Sequence, residues 1–450
     1  MKRYPFFCIF LIGTSVLPSA RAQARPQAPA PQTPAEQAPA GHATVAALTL
    51  KQAEQIAIQN HPQLQAAAFE ADIAKAQVQQ ARAAYYPQAY GSLTGIDAEN
   101  NSRIAAGALN NPIIFDRYAN GVTVGQIVTD FGRTHELVKS ANLHAKAQQQ
   151  NVVATRADVL LQVDQAYFNV LKAQSLLQVA KETVNDRQVV ADRVSELAKN
   201  QLKSGLDVSF AKVDLAQAQL LLIQAQNDLQ ASFAQLSAAL GYGDVRTFTL
   251  SDEPSAAAAP PPDLASLIQQ ALQNRPELIG QRFEVSSQQS FATAERDLWF
   301  PTITAIGAAG LTPVHDANLQ PRYAAGGFNV TVPIFNGHLF GALRNEATAQ
   351  ANAQSQFLRD LQNRIVRDVQ TAWLNANSGF ERLAVTQQLL DQAQQALDLA
   401  EARYKLGLSS IVELSQAQLN STQAKIAQAS AKYDYQTQLS VLNFQVGGTS

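Results

Sequence analysis

The chain has 450 residues with Lys+Arg 34 against Asp+Glu 36, a formal net charge of −2, and so lacks the basic excess that nucleic-acid binding requires. Charged residues make up 16%, below the roughly 25% of ordinary soluble domains, while Gln, Asn, Ser and Ala are abundant. The one cysteine, Cys8, excludes a disulfide framework and a cysteine metal site, and no apolar run of about 18 residues follows the N-terminal region, which excludes a spanning helix there.

Residues 1–22 read as a secretory signal: Lys2 and Arg3, an apolar core from Phe6 to Leu17, and Ala20-Arg21-Ala22 as the cleavage site. Residues 23–44, rich in Pro, Ala and Gln, read as a flexible leader, because such a segment buries too little apolar surface to offset its ordering entropy. A short helix is expected from Leu48 to Asn60, with Thr49 as a plausible N-cap. A second helix starts at Pro62, where a first-turn proline is tolerated, and ends before Pro87. Gln88 to Ile96 then reads as extended, 97–117 as a loop, and Tyr118 to Val128 as a strand with Val122 and Val124 on one face.

Much of this recurs. Asn60-His61-Pro62-Gln63-Leu64 returns as Asn274-Arg275-Pro276-Glu277-Leu278, and Tyr86-Pro87 as Phe300-Pro301, each 214 residues later. Phe131-Gly132 matches Phe335-Asn336-Gly337. The sequence therefore divides into a first repeat over 45–250, a linker at 251–262, a second repeat over 263–446 and a tail at 447–450. In the second repeat Thr302 to Gly310 and Tyr323 to Phe335 read as strands, with a loop through Pro313 and His315 between them. Strands of about ten residues with one apolar and one polar or small face fit a transmembrane β-barrel, although the strands alone favour an ordinary surface hairpin.

Long helical patterns follow each hairpin, over 133–200 and 338–405. Leu215, Leu222, Leu229 and Leu236 recur every seven residues, as do Leu383, Leu390, Leu397 and Tyr404, with Ala393 and Ala400 as a second series. A sustained period of seven means supercoiled helices. Gly205 and Gly407 are expected in left-handed backbone just past the helix ends, with Asp207 and Ser409 or Ser410 as N-caps of the returning helices. Leu206 and Leu408 then sit at exposed tips or in internal capping contacts. Four strands cannot close a barrel, since the smallest spanning barrels need about eight, so a membrane role requires several chains to pool their strands.

No HExxH, G-x-S-x-G, P-loop or dinucleotide fingerprint occurs, and the six histidines (His42, His61, His135, His144, His315, His338) show no metal-binding spacing. Neither an enzyme nor a cofactor is expected. An exported soluble coiled-coil scaffold is the alternative to a channel, although its solvated faces should carry more Lys and Glu.

Over residues 45–446 the chain resembles the TolC-like outer-membrane efflux proteins, the outer membrane factors. The resemblance is carried by the duplicated half, the N-x-P helix starts, the helix-to-strand swivels Pro87 and Pro301, and the tips Ser204-Gly205-Leu206 and Leu406-Gly407-Leu408. It implies a mainly α fold of long antiparallel hairpins forming an α-barrel. Four strands per chain join a shared twelve-strand transmembrane β-barrel in a homotrimer, within outer-membrane lipid and with a large periplasmic part. It further implies an exit duct that meets a periplasmic adaptor at the tips and an inner-membrane transporter of the RND or ABC type. In that family an acidic ring, locked by a tyrosine and an arginine, narrows the periplasmic end. By resemblance Tyr404 takes the tyrosine position and Glu413 the first acidic one. Gln416 stands at the second acidic position and Ser409 at the arginine, so two charges of ring and lock are missing. The first-half acid is Asp207 counted from the tip glycine, or Asp214 counted back from Gln217-Ala218-Gln219-Leu220 against Gln416-Ala417-Gln418-Leu419; both remain open.

Overall fold

A computed structural model describes residues 47–96, 103–106, 109–113, 117–252, 258–314 and 320–448. The signal and leader readings, Cys8, His42 and His315 lie outside these residues. The first helices are α1 (Leu50–Asn60) and α2 (Pro62–Arg82), and the strands of the first half are β1 (Gln88–Ile96), β2 (Arg103–Ala106), β3 (Leu109–Ile113) and β4 (Arg117–Thr129). Two long helices follow, α3 (Arg133–Lys199) and α4 (Gly205–Ala239). The second half runs through α5 (Leu264–Asn274), α6 (Pro276–Arg296), β5 (Thr302–Val314), β6 (Arg322–Thr331), α7 (Leu339–Lys405) and α8 (Ile411–Val446).

Helix lengths match pairwise: α1 and α5 have 11 residues, α2 and α6 have 21, α3 and α7 have 67. Local chemistry sets the ends. Thr49 and Gln52 form a reciprocal capping box on α1, and Pro62 and Pro276 each open their helix. Each of α2 and α6 tightens into a three-residue 3-10 turn (Ala83–Tyr85 and Asp297–Trp299) before Pro87 or Pro301 turns the chain into a strand.

Two expectations are corrected here. The segment 97–117 is not all loop, because β2 and β3 pair antiparallel within it; its Asn, Gly and Pro content marks turns but does not forbid a local hairpin. In the second half the strand boundaries move. The fifth strand runs past Gly310 to Val314, and the sixth stops at Thr331, two residues before Pro333, which has no N–H to give a ladder.

At 1.5 Å per residue, each 67-residue helix is about 100 Å long. The buried stripe of α4 is Ala211, Ala218, Ala225, Ser232 and Ala239, seven residues apart, flanked by the half-buried Leu215, Leu222 and Leu229. In α7 it is Thr386, Ala393, Ala400, with Leu383, Leu390 and Leu397 alongside. Small side chains at one seam position let backbones approach closely, while leucines fill the other. Helices α3 and α4 pack as one antiparallel pair and α7 and α8 as another, and α3 lies against α8.

The largest apolar cluster joins α1, α3 and α4 around Val159, Val163, Tyr167, Phe233 and Leu236. Asp164 is buried beside it, 7% exposed, and its Oδ1 has no hydrogen-bond partner among the described residues. Burial pushes its carboxyl up to about 7; Ser440 opposes this and the Glu54 carboxyl reinforces it. Folding therefore favours protonated Asp164. That preference is fully expressed below pH about 4 and is lost as pH rises through about 7. The wild-type melting temperature should fall between pH 5 and pH 8, and Asp164→Asn should flatten that slope by raising stability at pH 8 by on the order of 1–4 kcal/mol. Thermal melts of both proteins at the two pH values check this; parallel slopes would contradict it.

Candidate functional site

Four strands form one antiparallel sheet in the order β1-β4-β5-β6. The register sorts the side chains. Val122 pairs with Gly91 and Ala309, and Val124 with Ala89 and Gly307, while Phe328 pairs with Ala305 and Val330 with Ile303. One face thus carries Leu93, Val122, Val124, Leu311, Ile303, Phe328 and Val330, of which Leu93 is 76% and Phe328 75% exposed. Asn120, Gln126 and, at the end of β6 opposite Leu311, Arg322 are the polar exceptions on it. The opposite face carries Gln88, Ser92, Thr94, Thr123, Thr304, Asn329 and Thr331 among glycines and alanines, with Ile127, Ile306 and the exposed Tyr90 as larger apolar members. Tyr323 lies flat on that polar face over Gly310 and Gly121. A methyl group added at either glycine would meet the Tyr323 hydroxyl.

Between sheet and long helices the chain takes two left-handed residues in succession, Phe131 (φ 55) with Gly132 (φ 112), and Gly337 (φ 64) with His338 (φ 66). Non-glycine residues there are strained. At the first junction Asp130 offsets the strain, accepting from Gly132 N, Thr134 N (2.7 Å) and Thr134 Oγ1 (2.5 Å). Exposed aromatic side chains cluster at this level: Tyr85, Tyr86, Phe131, Trp299, Phe300 and Phe335. Phe131 and Phe300 are 6.2 Å apart, and Trp299 meets the edge of Phe340 at 5.8 Å. Aromatic rings at the rim of an apolar strand band mark a membrane–water boundary.

At the far end of the long helices lie the hairpin tips. Gly205 is not left-handed as expected; it is the first residue of α4, and Gln201 (φ 60) takes the left-handed turn instead. Asp207 is not the N-cap either. Ser204 is, and Asp207 is the third helical residue of a capping box: Ser204 N and Oγ donate to Asp207 Oδ2 at 3.0 and 2.8 Å. These bonds, Ser204 first, hold the Asp207 carboxyl below the usual range. Gly407 (φ 75) is left-handed as expected, and Ser410, rather than Ser409, caps α8 through Glu413 N at 3.2 Å. Leu206, Leu406 and Leu408 are all exposed.

Ser204 and Ser410 are matching caps, which makes Asp207 the positional equivalent of Glu413. Ala211 and Ala417 then fall on matching buried positions. Glu413 pairs with Arg403 Nε at 3.4 Å, Gln416 donates to Asn420, and Asp214 lies deeper and accepts from Ser415 Oγ. Tyr404 is buried between the tips.

Arg187 went unnoticed in the sequence. Ala166, Ala173, Ala180, Arg187 and Val194 stand seven apart on α3 and all are buried, so an arginine occupies a seam position. Burial lowers its pKa, and the Asp214 carboxylate opposes that shift. The signal was a lone charge in step with an alanine period.

The outer membrane efflux protein model matches residues 54–242 and 267–448. The chain belongs to the outer membrane efflux protein family. This efflux protein is 24% identical to the cobalt-zinc-cadmium resistance protein CzcC of Cupriavidus metallidurans, over 84% of this chain and 85% of that protein. It is 24% identical to the outer membrane protein TolC of Escherichia coli, over 86% and 79%. Among solved structures it resembles CusC, with a TM-score of 0.79 and 20% identity over 92% of this chain and 95% of that one. VceC of Vibrio cholerae gives 0.76 and 17% over 89% and 96%. The efflux protein is thus an outer-membrane exit duct with a large periplasmic helical part, a channel rather than an enzyme, and the soluble-scaffold alternative is set aside. Among the described residues no helix is long and apolar enough to cross a membrane; the strands present an exposed apolar face.

The packing of Tyr323 gives a test of the wall. Gly121→Ala should meet the Tyr323 ring and the Ala309 carbonyl oxygen, displace the ring and cost about 1–3 kcal/mol, seen as a lower melting temperature, whereas Gly125→Ala, with open space around it, should change little. Equal effects would refute the close approach.

Proposed function

We propose that three copies of the chain join β6 of one to β1 of the next, closing a twelve-strand barrel that carries efflux substrates out of the periplasm. One observation supports this above others: the sheet has an exposed apolar face and two unpaired edge strands, β1 and β6. In lipid each unpaired backbone group costs several kcal/mol, which only closure removes. The strands of 9 to 13 residues suit an apolar band about 25 Å tall when tilted. The neutral Thr, Ser, Asn and Gly face then lines the water-filled side, and Pro87 and Pro301 turn each barrel strand into the helical wall.

The tips Ser204-Gly205-Leu206 and Leu406-Gly407-Leu408 are the adaptor-contact surfaces of this reading. Their exposed leucines offer apolar area to a periplasmic adaptor, which links the duct to an inner-membrane transporter. CzcC is named for cobalt, zinc and cadmium resistance, and another relative, OpmQ of Pseudomonas aeruginosa, for pyoverdine export. The relatives thus point to no single cargo. Tyr404, Glu413 and Asp207 form the periplasmic gate, with Gln416 as its neutral member and Asp214 outside it, since Asp214 is engaged with Ser415 and faces Arg187.

The protein in detergent should migrate as a trimer unboiled and as a monomer after boiling, and it should conduct ions in planar bilayers. A monomeric preparation that makes no pores would end the reading. Glu413→Gln should weaken block by a multivalent cation added at the periplasmic side by about tenfold or more, and Asp214→Asn should leave it unchanged; block that persists in Glu413→Gln would remove Glu413 from the gate.

A further inference from the structure

The Lys203 ammonium lies 4.3 Å from the centre of the Tyr404 ring. The two residues belong to different hairpins, Lys203 to the turn between α3 and α4 and Tyr404 to the last turn of α7. We propose that Lys203 is a positioning residue that latches the first hairpin tip to the second through the face of Tyr404, and so sets how readily the tips part. This rests on the reading of the tips as the periplasmic mouth of the duct.

Three features fit the arrangement to that task. Tyr404 is only 6% exposed, held by Ala191, Val194, Ala211, Ile411 and Leu414 from α3, α4 and α8. Its ring is therefore a fixed platform to which all four long helices contribute. Lys203 makes no close ion pair among the described residues; besides the ring, its charge acts only at longer range on the Asp207 carboxylate of its own turn. The turn that presents it is braced on both sides, by the left-handed Gln201 before it and the Ser204–Asp207 capping box after it.

A cation over an aromatic face is held electrostatically by the ring quadrupole, and it lacks the directional demand of a hydrogen bond. The contact is thus strong enough to bias a tip equilibrium and weak enough to release. The Tyr404 hydroxyl has no hydrogen-bond partner among the described residues, and the ring face is the part of Tyr404 that meets the Lys203 ammonium. Separating the tips exposes both the ring and the cation, whereas sliding them together keeps the contact.

Single-channel recording of the full-length protein in planar bilayers tests this. Lys203→Met should raise the fraction of time in high-conductance states by about 2- to 30-fold, the range such a contact supplies. Lys203→Arg should restore wild-type behaviour, because a guanidinium also stacks on the ring. Lys199→Met removes an equal charge near the same tip, where Lys199 pairs with Glu196 one turn away on its own helix, and should change nothing. An intact heat-modifiable oligomer confirms that each variant assembles. Lys203→Met indistinguishable from wild type, or Lys199→Met reproducing its effect, would overturn the latch while leaving the duct in place. Wild-type protein that forms no channels would overturn the duct reading itself.

Discussion

Every hydrogen-bonding group of a backbone placed in hydrocarbon must find its partner within protein. The sheet of this chain has four strands whose interior ladders are paired apart from two bulges between β4 and β5, and two outer edges without a partner. Much of the remaining molecule answers to that one demand. The apolar face, the ring of exposed aromatic side chains and the absence of charge from the middle of both faces are conditions for a sheet to sit in lipid. The edges are the reason one copy does not suffice. Duplication follows naturally, because two similar halves supply two hairpins and two helical pairs in alternation.

A wall of barrel strands cannot simply continue as helices, since the strand direction and the helix axis differ. The chain meets this at four places with two devices. Going from helix to strand it tightens into a 3-10 turn and passes through Pro87 or Pro301. Returning from strand to helix it uses paired left-handed residues, one of them non-glycine in each half. Strain of on the order of 1–3 kcal/mol at a non-glycine left-handed residue persists only where surroundings over-determine it. The Asp130 network supplies that in the first half. In the second half Phe335 packs edge-on to the His338 ring at 5.9 Å, so the halves reach the same backbone by different side-chain means.

Repetition made the fold readable. The prolines, the N-x-P starts and the heptads set helix ends to within about two residues, and Thr49 and Ser410 are caps by ordinary side-chain chemistry. What escaped was whatever depended on a partner far along the chain or on a choice between near-equal local solutions. Gly205 looked like the left-handed residue because glycine most often is, yet Gln201 took that role, and the glycine became the first residue of a helix capped by Ser204. The hairpin within 97–117 was hidden by residues that favour turns. Lys203 on Tyr404 joins positions about 200 apart in a linear string, and no spacing rule finds it. Arg187 was visible in principle, since a single charge in step with an alanine seam is an anomaly that periodicity alone exposes.

Charge placement connects these points. Most ion pairs are local or fasten a joint: Lys199 with Glu196 and Lys405 with Glu401 along a helix, Arg275 with Glu277 at the start of α6, Lys432 with Asp252 where the linker meets α8. Between them the long helices present mostly Gln, Asn, Ser and Thr. Amides and hydroxyls hold water without building the single-signed field that concentrates counter-ions. Unlike charges crowd instead at the hairpin tips, with Lys203, Asp207, Arg403, Lys405 and Glu413 within two short turns and the helix ends beside them. Several of these charges are exposed and screened by salt over about 8–10 Å, but Lys203 rests on a ring that four helices hold in place. The tips thus combine a charged surface that responds to its surroundings with a buried platform that does not.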